Sequence, residues 1–240
     1  MSLDPNWLMT PPNHFDHVYL ELARSTLRVR GVLACAGITI FSMTTALAWF
    51  LIHVIFFDGN FYLFGPGLAG LATAIVGICL GIYYLRMDLE MPRSEPIRFN
   101  RLRRKVYVYR FHHNGLRPFS RSAWGVRPEV YSWDDLHAEA CSAYGPLGTG
   151  GLIENITLTV LKPGTREVLD RFIFAHDIDH GEEYWAMAQL FMQQGPQALP
   201  TFFHSPRDWN NEDARFNLAR RFAPKVQWPA DMDLESRTAP

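Results

Sequence analysis

Val32–Phe57 reads VLACAGITIFSMTTALAWFLIHVIFF, and Phe61–Leu85 reads FYLFGPGLAGLATAIVGICLGIYYL. Between them stands only Asp58-Gly59-Asn60. Neither run holds Asp, Glu, Lys or Arg, and each exceeds the ~20 residues that carry a helix across ~30 Å of hydrocarbon. A buried pair of soluble helices would keep a polar face, and these runs show none. Asp, Gly and Asn together are turn chemistry, so the stretch predicts an antiparallel transmembrane hairpin.

The flanks predict its orientation. Arg24, Arg28 and Arg30 precede the first run; Arg86, Arg93, Arg98, Arg101, Arg103, Arg104 and Lys105 follow the second. The turn holds no cation. Lys and Arg collect on the cytoplasmic side, so the expectation is a two-pass membrane protein with both termini cytoplasmic. The first run begins too late for an ordinary cleavable signal peptide, so the hairpin is expected to remain as an anchor. Gly77 and Gly81 form a small-xxx-small pair suited to close helix packing, within the hairpin or between copies in a homo-oligomer.

Outside the hairpin, the 240 residues and formal charge of −1 allow one modest soluble domain. They exclude the uniformly basic face of a nucleic-acid binder. Cys35, Cys79 and Cys141 make no disulfide framework. Asn13, Asp16 and the stripe Phe15, Val18, Tyr19, Leu22, Ala23 predict an amphipathic helix within an N-terminal segment, 1–31, either interfacial on the membrane face or packed against the cytosolic domain. Residues 86–96 read as a linker. Strands are expected at Ile97–Arg101, Lys105–Phe111, Val126–Trp133, Leu136–Tyr144, Leu152–Leu161 and Val168–Ala175. Asp179 would cap a helix from His180 to Gln194, ended by Gly195-Pro196. In the extension 201–240, Asn211 would cap a short helix, and the tail from Ala223 reads as loop.

The fold class is thus an α+β membrane protein: a two-helix hairpin (32–57 and 61–85), then a cytosolic β-rich domain over 97–200 closed by an amphipathic helix. Pleckstrin-homology-like domains have this element order.

His176-Asp177-Ile178-Asp179-His180 offers metal-ligand types, but it spans a strand end and a helix start, so its two histidines need not share a face. The Gly145–Gly151 run lacks the Gly-Lys-Ser/Thr ending of a phosphate loop. No catalytic residue, cofactor or metal is expected. Arg101, Arg103, Arg104 and Lys105 are candidates for contact with anionic membrane lipid.

Pro96-Ile97-Arg98-Phe99-Asn100-Arg101, Lys105–Tyr109, Trp133-Asp134-Asp135 and Phe191-Met192-Gln193-Gln194-Gly195-Pro196 carry a resemblance. In order and spacing they are similar to an uncharacterised bacterial family with two N-terminal membrane helices, associated with type VI secretion effectors as candidate immunity proteins. The resemblance runs from Trp7 to Pro200 and implies a non-enzymatic protein whose partner is a cognate secreted toxin. It transfers no catalytic residue. Arg121, Trp124, Arg127, Tyr131 and Trp133 are the candidate partner contacts, since a desolvated patch of aromatic and Arg side chains carries most binding energy. A membrane-tethered scaffold that binds lipid or protein is the alternative, and a metal-dependent enzyme using the His176–His180 cluster ranks last.

Overall fold

The computed structural model describes residues 10–24, 30–57, 62, 64–144, 151–202, 205–206, 208, 210–211 and 221–240. Two apolar helices form one arm. Helix α1 is Val32–Ile52, continued by a π-helical turn at His53–Phe57, and α2 is Phe64–Glu90. Both are long and apolar enough to cross a membrane, and only 6% and 11% of their most apolar windows are buried. The connecting turn at 58–60 lies outside the described residues.

The two helices approach closely through small side chains. A Cβ on Gly81 would stand 2.9 Å from Phe41 Cβ and 3.0 Å from the Gly37 carbonyl oxygen, while one on Gly77 would stand 2.2 Å from the Thr44 methyl. Helix α1 receives its cap from its neighbour: Asp88 on α2 accepts hydrogen bonds from the amides of Gly31 (2.7 Å) and Ala34 (2.8 Å). A carboxylate there satisfies orphan donors and favours the positive end of the helix dipole.

Where the stripe Phe15–Ala23 predicts an amphipathic helix, the chain is instead a β-hairpin, β1 (His14–Phe15) and β2 (Tyr19–Leu22). Asp16 builds its turn by accepting from the amides of Val18 (2.7 Å) and Tyr19 (2.9 Å). The helical spacing of Phe15, Val18, Tyr19 and Leu22 gives way to the two-residue period of Leu20 and Leu22, both fully buried. That alternation wins because β2 pairs antiparallel with β3 (Ile97–Asn100), setting Leu20 opposite Phe99 and Leu22 opposite Ile97. The soluble domain is therefore discontinuous, with the helical arm inserted between two adjacent strands.

Strands β4 (Lys105–His112) and β5 (Gly125–Ser132) complete a five-stranded antiparallel sheet in the order β1-β2-β3-β4-β5. After a 3₁₀ turn at Trp133–Asp135, β6 (Leu136–Tyr144), β7 (Leu152–Leu161) and β8 (Val168–Ala175) make a three-stranded antiparallel sheet. Helix α3 (Ile178–Gln194) follows, capped by Asp177 rather than Asp179: the Asp177 carboxylate accepts from the His180 amide at 2.9 Å. Its Tyr184, Met187, Ala188, Phe191 and Met192 close a core shared with Leu20, Phe99, Val106, Leu158 and Phe174. Each Leu, Val, Phe or Met among them, fully buried, contributes about 1.5–3 kcal/mol relative to exposure. Gly195 ends α3 at φ 94°, a left-handed region that favours glycine.

The tail expected to be loop carries helix α4 (Ala230–Arg237). It lies over the face of the first sheet opposite the core, where Arg98 and Asn100 are buried beneath it. Arg98, 3% exposed, donates to Glu21 (2.5 Å), Asp233 (2.6 Å) and Ser236 Oγ (2.9 Å), and its guanidinium lies 4.5 Å from the Trp228 ring centroid. Asn100 Nδ2 donates to the carbonyls of Ser236 and Thr238, each at 3.0 Å. The short helix expected from Asn211 falls on 212–220, outside the described residues.

Candidate functional site

Two adjoining regions gather charged and aromatic side chains. One is the junction where the helical arm meets the domain. Arg30 donates to the carbonyls of Met91 and, at 2.5 Å, Pro92. Arg93 ties the linker to the C-terminal extension through the carbonyls of Asn210 and Arg221, each at 3.1 Å. On α2, Arg86 pairs with Glu90 at 2.7 Å and donates to the carbonyls of Pro118 and Ser120 in the β4–β5 loop. Its guanidinium stacks 4.5 Å from the Trp124 ring centroid, while Tyr83 meets that ring edge-on at 5.7 Å. A groove of ≈ 480 Å³ opens there, lined by Ile82, Arg86, Glu90, Pro118, Phe119 and Arg121.

The second region joins the two sheets. Arg110 on β4 pairs with Asp170 on β8 (2.5 Å) and Glu129 on β5 (3.3 Å), and the Tyr131 hydroxyl donates to both carboxylates at 2.7 and 2.8 Å. Burial by itself raises the Asp170 pKa. The Tyr131 hydroxyl, the Arg171 amide and Arg110 outweigh it and hold that carboxyl below its ordinary 3.8. Burial and the two carboxylates push the Tyr131 phenol far up, so it stays a donor. Arg24 reaches across the same seam to the carbonyls of Ile173 (2.6 Å), Tyr109 (3.1 Å) and Glu95 (3.2 Å).

The five candidate partner contacts do not form one patch. Trp124, 6% exposed, is the anchor of the β4–β5 loop against α2, and Trp133, 8% exposed, packs in the core against Phe99 and Trp185. Tyr131 is half-buried in the inter-sheet network and stacks on Phe172. Arg121 and Arg127 are exposed, and Arg127 bonds the Ser122 carbonyl at 2.7 Å.

The cations Arg101–Lys105 occupy the β3–β4 turn, at the opposite end of those strands from the linker and the β4–β5 loop. Arg104 pairs with Asp134, Lys105 with Glu235 at 2.6 Å, and Arg103 donates to the carbonyls of Thr238 (3.0 Å) and Ala239 (2.6 Å). Arg101 is half-buried, its guanidinium close to Gly195. Here Arg103, Arg104 and Lys105 latch α4, the residues after it and the 3₁₀ turn at Trp133–Asp135 to the sheet. Gly77 and Gly81 lie on the seam between α1 and α2.

Around 176–180 the two histidines have separate neighbours. His180 sits 3.5 Å from the Thr10 hydroxyl and 4.1 Å, ring to ring, from Tyr184. Burial lowers the His176 pKa below its ordinary value, with Glu95 opposing the shift and Arg24 adding to it. Among the described residues no group of three or more His, Cys, Asp or Glu is placed to hold a metal ion.

The residues that organise these sites, Arg24, Arg98, Arg110 and Asp170, carry no local motif. Their signal is charge at strand positions that become covered. Arg110 shares the face of Val106 and Val108, whereas Arg98, between Ile97 and Phe99, lies on the opposite face under α4, and burial of either requires a partner. Comparison with known proteins adds one finding. No curated protein and no solved structure matches the chain. A family model described as Family of unknown function (DUF6708) matches residues 74–240, from the middle of α2 through α4, and the chain belongs to that family.

Proposed function

We propose that this protein is a non-enzymatic, membrane-anchored binding protein of the bacterial inner membrane that neutralises a cognate type VI secretion effector. The observation that carries the anchoring is the pairing of β2 with β3 on either side of the helical arm. It requires both ends of α1–α2 to return to one side, as a two-pass hairpin does. The outward-facing Trp49, Phe50, Phe57, Ile75 and Val76 support hydrocarbon as the surrounding medium. Cations at the domain end of the hairpin support a cytoplasmic location for both termini.

The immunity role rests on the motif resemblance around Pro96–Arg101, Trp133–Asp135 and Phe191–Pro196. Because the turn at 58–60 leaves so little chain on the far side, the toxin is met by the cytosolic domain or within the bilayer. A second reading, a tethered lipid- or protein-binding scaffold, is favoured by element order. Strands β2–β5, then β6–β8, then α3 follow the plan of pleckstrin-homology-like domains.

The test is co-expression of the full chain with an effector encoded beside its gene. The proposal expects co-purification and protection from that effector. Correctly inserted, abundant protein that neither binds nor neutralises it contradicts the immunity role. A reporter fused after Pro240 should behave as cytoplasmic and one inserted at Gly59 as extracytoplasmic; reversed signals contradict the orientation.

A further inference from the structure

The β4–β5 loop exposes two large apolar side chains, Leu116 at 95% and Phe119 at 66%. Exposed Arg117 and Arg121 flank them. Single exposed apolar residues need no explanation, but the position of these two is specific. The loop is fixed to α2 by Arg86, which holds the Pro118 and Ser120 carbonyls, and by the contact of Tyr83 with Trp124. The Trp124 indole in turn donates to the Arg117 carbonyl at 3.2 Å, and Asn114 Oδ1 accepts from the Leu116 amide at 3.0 Å. Its height along the helix is therefore set.

Counting about 20 residues from Phe64, at about 1.5 Å each, brings α2 across the hydrocarbon near Tyr83. Tyr83 and Tyr84 then stand at the depth where aromatic belts sit, and Arg86 stands among the headgroups. The loop leans on this stretch of α2.

Resting on the anchoring reading above, we propose that the β4–β5 loop is a second membrane contact. Leu116 and Phe119 enter the headgroup–acyl boundary of the bilayer that the hairpin crosses, and Arg117 and Arg121 face anionic lipid phosphates. Two observations point to this occupant. Phe119 shares a groove with Ile82 of α2, and Gly115, next to Leu116, stands beside Tyr83, which puts both apolar side chains at the exit depth of α2. The neighbouring cations complement an anionic leaflet. The contact orients the whole domain, because the loop grows directly from β4 and β5, whose other ends carry the cations latched to α4. The domain is held down on its β4–β5 side and presents the β3–β4 turn and α4 to the cytoplasm.

The test uses the full chain in nanodiscs containing phosphatidylglycerol, with Cys35, Cys79 and Cys141 replaced by Ala. Spin labels are placed singly through Phe119→Cys, Val76→Cys on the exposed face of α2, and Thr165→Cys in the β7–β8 turn. The proposal expects Val76→Cys to be reached by oxygen and Thr165→Cys by a water-soluble nickel chelate. Phe119→Cys should collide with the chelate several-fold less than Thr165→Cys, and its protection should weaken in phosphatidylcholine alone. A Phe119→Cys label as open to the chelate as Thr165→Cys, with Val76→Cys still in lipid, overturns the loop contact, leaves the anchor standing and frees the loop for a protein partner. Equal protection in both lipids overturns the role of Arg117 and Arg121. Chelate access at Val76→Cys overturns the anchor and the loop contact together.

Discussion

The helical arm and the soluble domain place their side chains in opposite ways. In the arm, Trp49, Phe50, Ile75 and Val76 point outward while Gly37, Gly77 and Gly81 line the seam. In the domain, Leu20, Phe99, Leu158 and Phe174 point inward. Their polar groups differ as well. Thr39, Thr44 and Thr73 return their hydroxyls to carbonyls of their own helix, at 2.7–2.9 Å. Arg98 and Asn100 instead find partners more than a hundred residues away. The difference separates two driving forces. Expulsion of water holds the domain together, whereas under the membrane-anchored reading proposed above close backbone packing and locally satisfied hydrogen bonds hold the arm.

The largest break in this comparison is Arg98→Met. It takes their shared cation from Glu21 and Asp233, though Asp233 keeps Arg237 at 3.0 Å. Breaking a buried pair from one side costs about 3–5 kcal/mol, and with this retained partner the loss is about 3 kcal/mol. Chemical denaturation of the full chain in detergent should show the domain transition falling by that amount while the arm keeps its helicity. An unchanged domain transition would make the network incidental. Next is Gly81→Val, whose Cβ meets the backbone of Gly37 and Phe41. Overpacking of this kind costs about 1–3 kcal/mol. It should lower arm stability in a dodecyl sulfate titration and leave the domain unmoved. Equal loss in both regions would contradict their separation.

The smallest effect is one of pH. Asp170 titrates below its ordinary 3.8 in the folded domain. Its contribution is complete above that value and is lost as pH falls from 3.8 through the lower folded pKa. The domain should therefore weaken in that window, with a shallower slope in Asp170→Asn. Asp88 caps α1 from the base of α2, so the arm has a carboxylate of its own and the comparison is between the domain transition of the unaltered chain and that of Asp170→Asn. A domain transition with the same pH dependence in both would contradict the assignment.

The same contrast explains what was legible in the sequence. The arm was readable because length and apolarity act locally, without reference to the rest of the chain. Strands β4 and β6–β8 were readable to within a residue because turn residues such as Pro163-Gly164 bracket alternating side chains. Strand β2 was not, since Phe15, Val18, Tyr19 and Leu22 satisfy a helical spacing and only the distant Ile97–Asn100 makes them a strand. Helix α4 was hidden for the same reason: Pro-flanked and polar, it gains its place from Arg98, Asn100 and Lys105. Trp124 and Trp133 have the composition of contact residues, and only tertiary packing shows them buried. The inter-sheet network was invisible because Arg24, Arg110, Tyr131 and Asp170 meet only after both sheets have formed.

The central claim is that one soluble domain is assembled from both sides of an inserted hairpin. Leu22 lies opposite Ile97, and Arg24 is bonded to the Glu95 carbonyl, so a short link suffices to join the two segments. The direct measurement replaces residues 30–91 with a short Gly/Ser linker and follows solubility and chemical unfolding in water without detergent. The account predicts a soluble chain with a single cooperative transition, and no such transition for residues 92–240 alone, which lack β1, β2 and Arg24. Cooperative folding of 92–240 by itself, with no gain from residues 10–29, would contradict it.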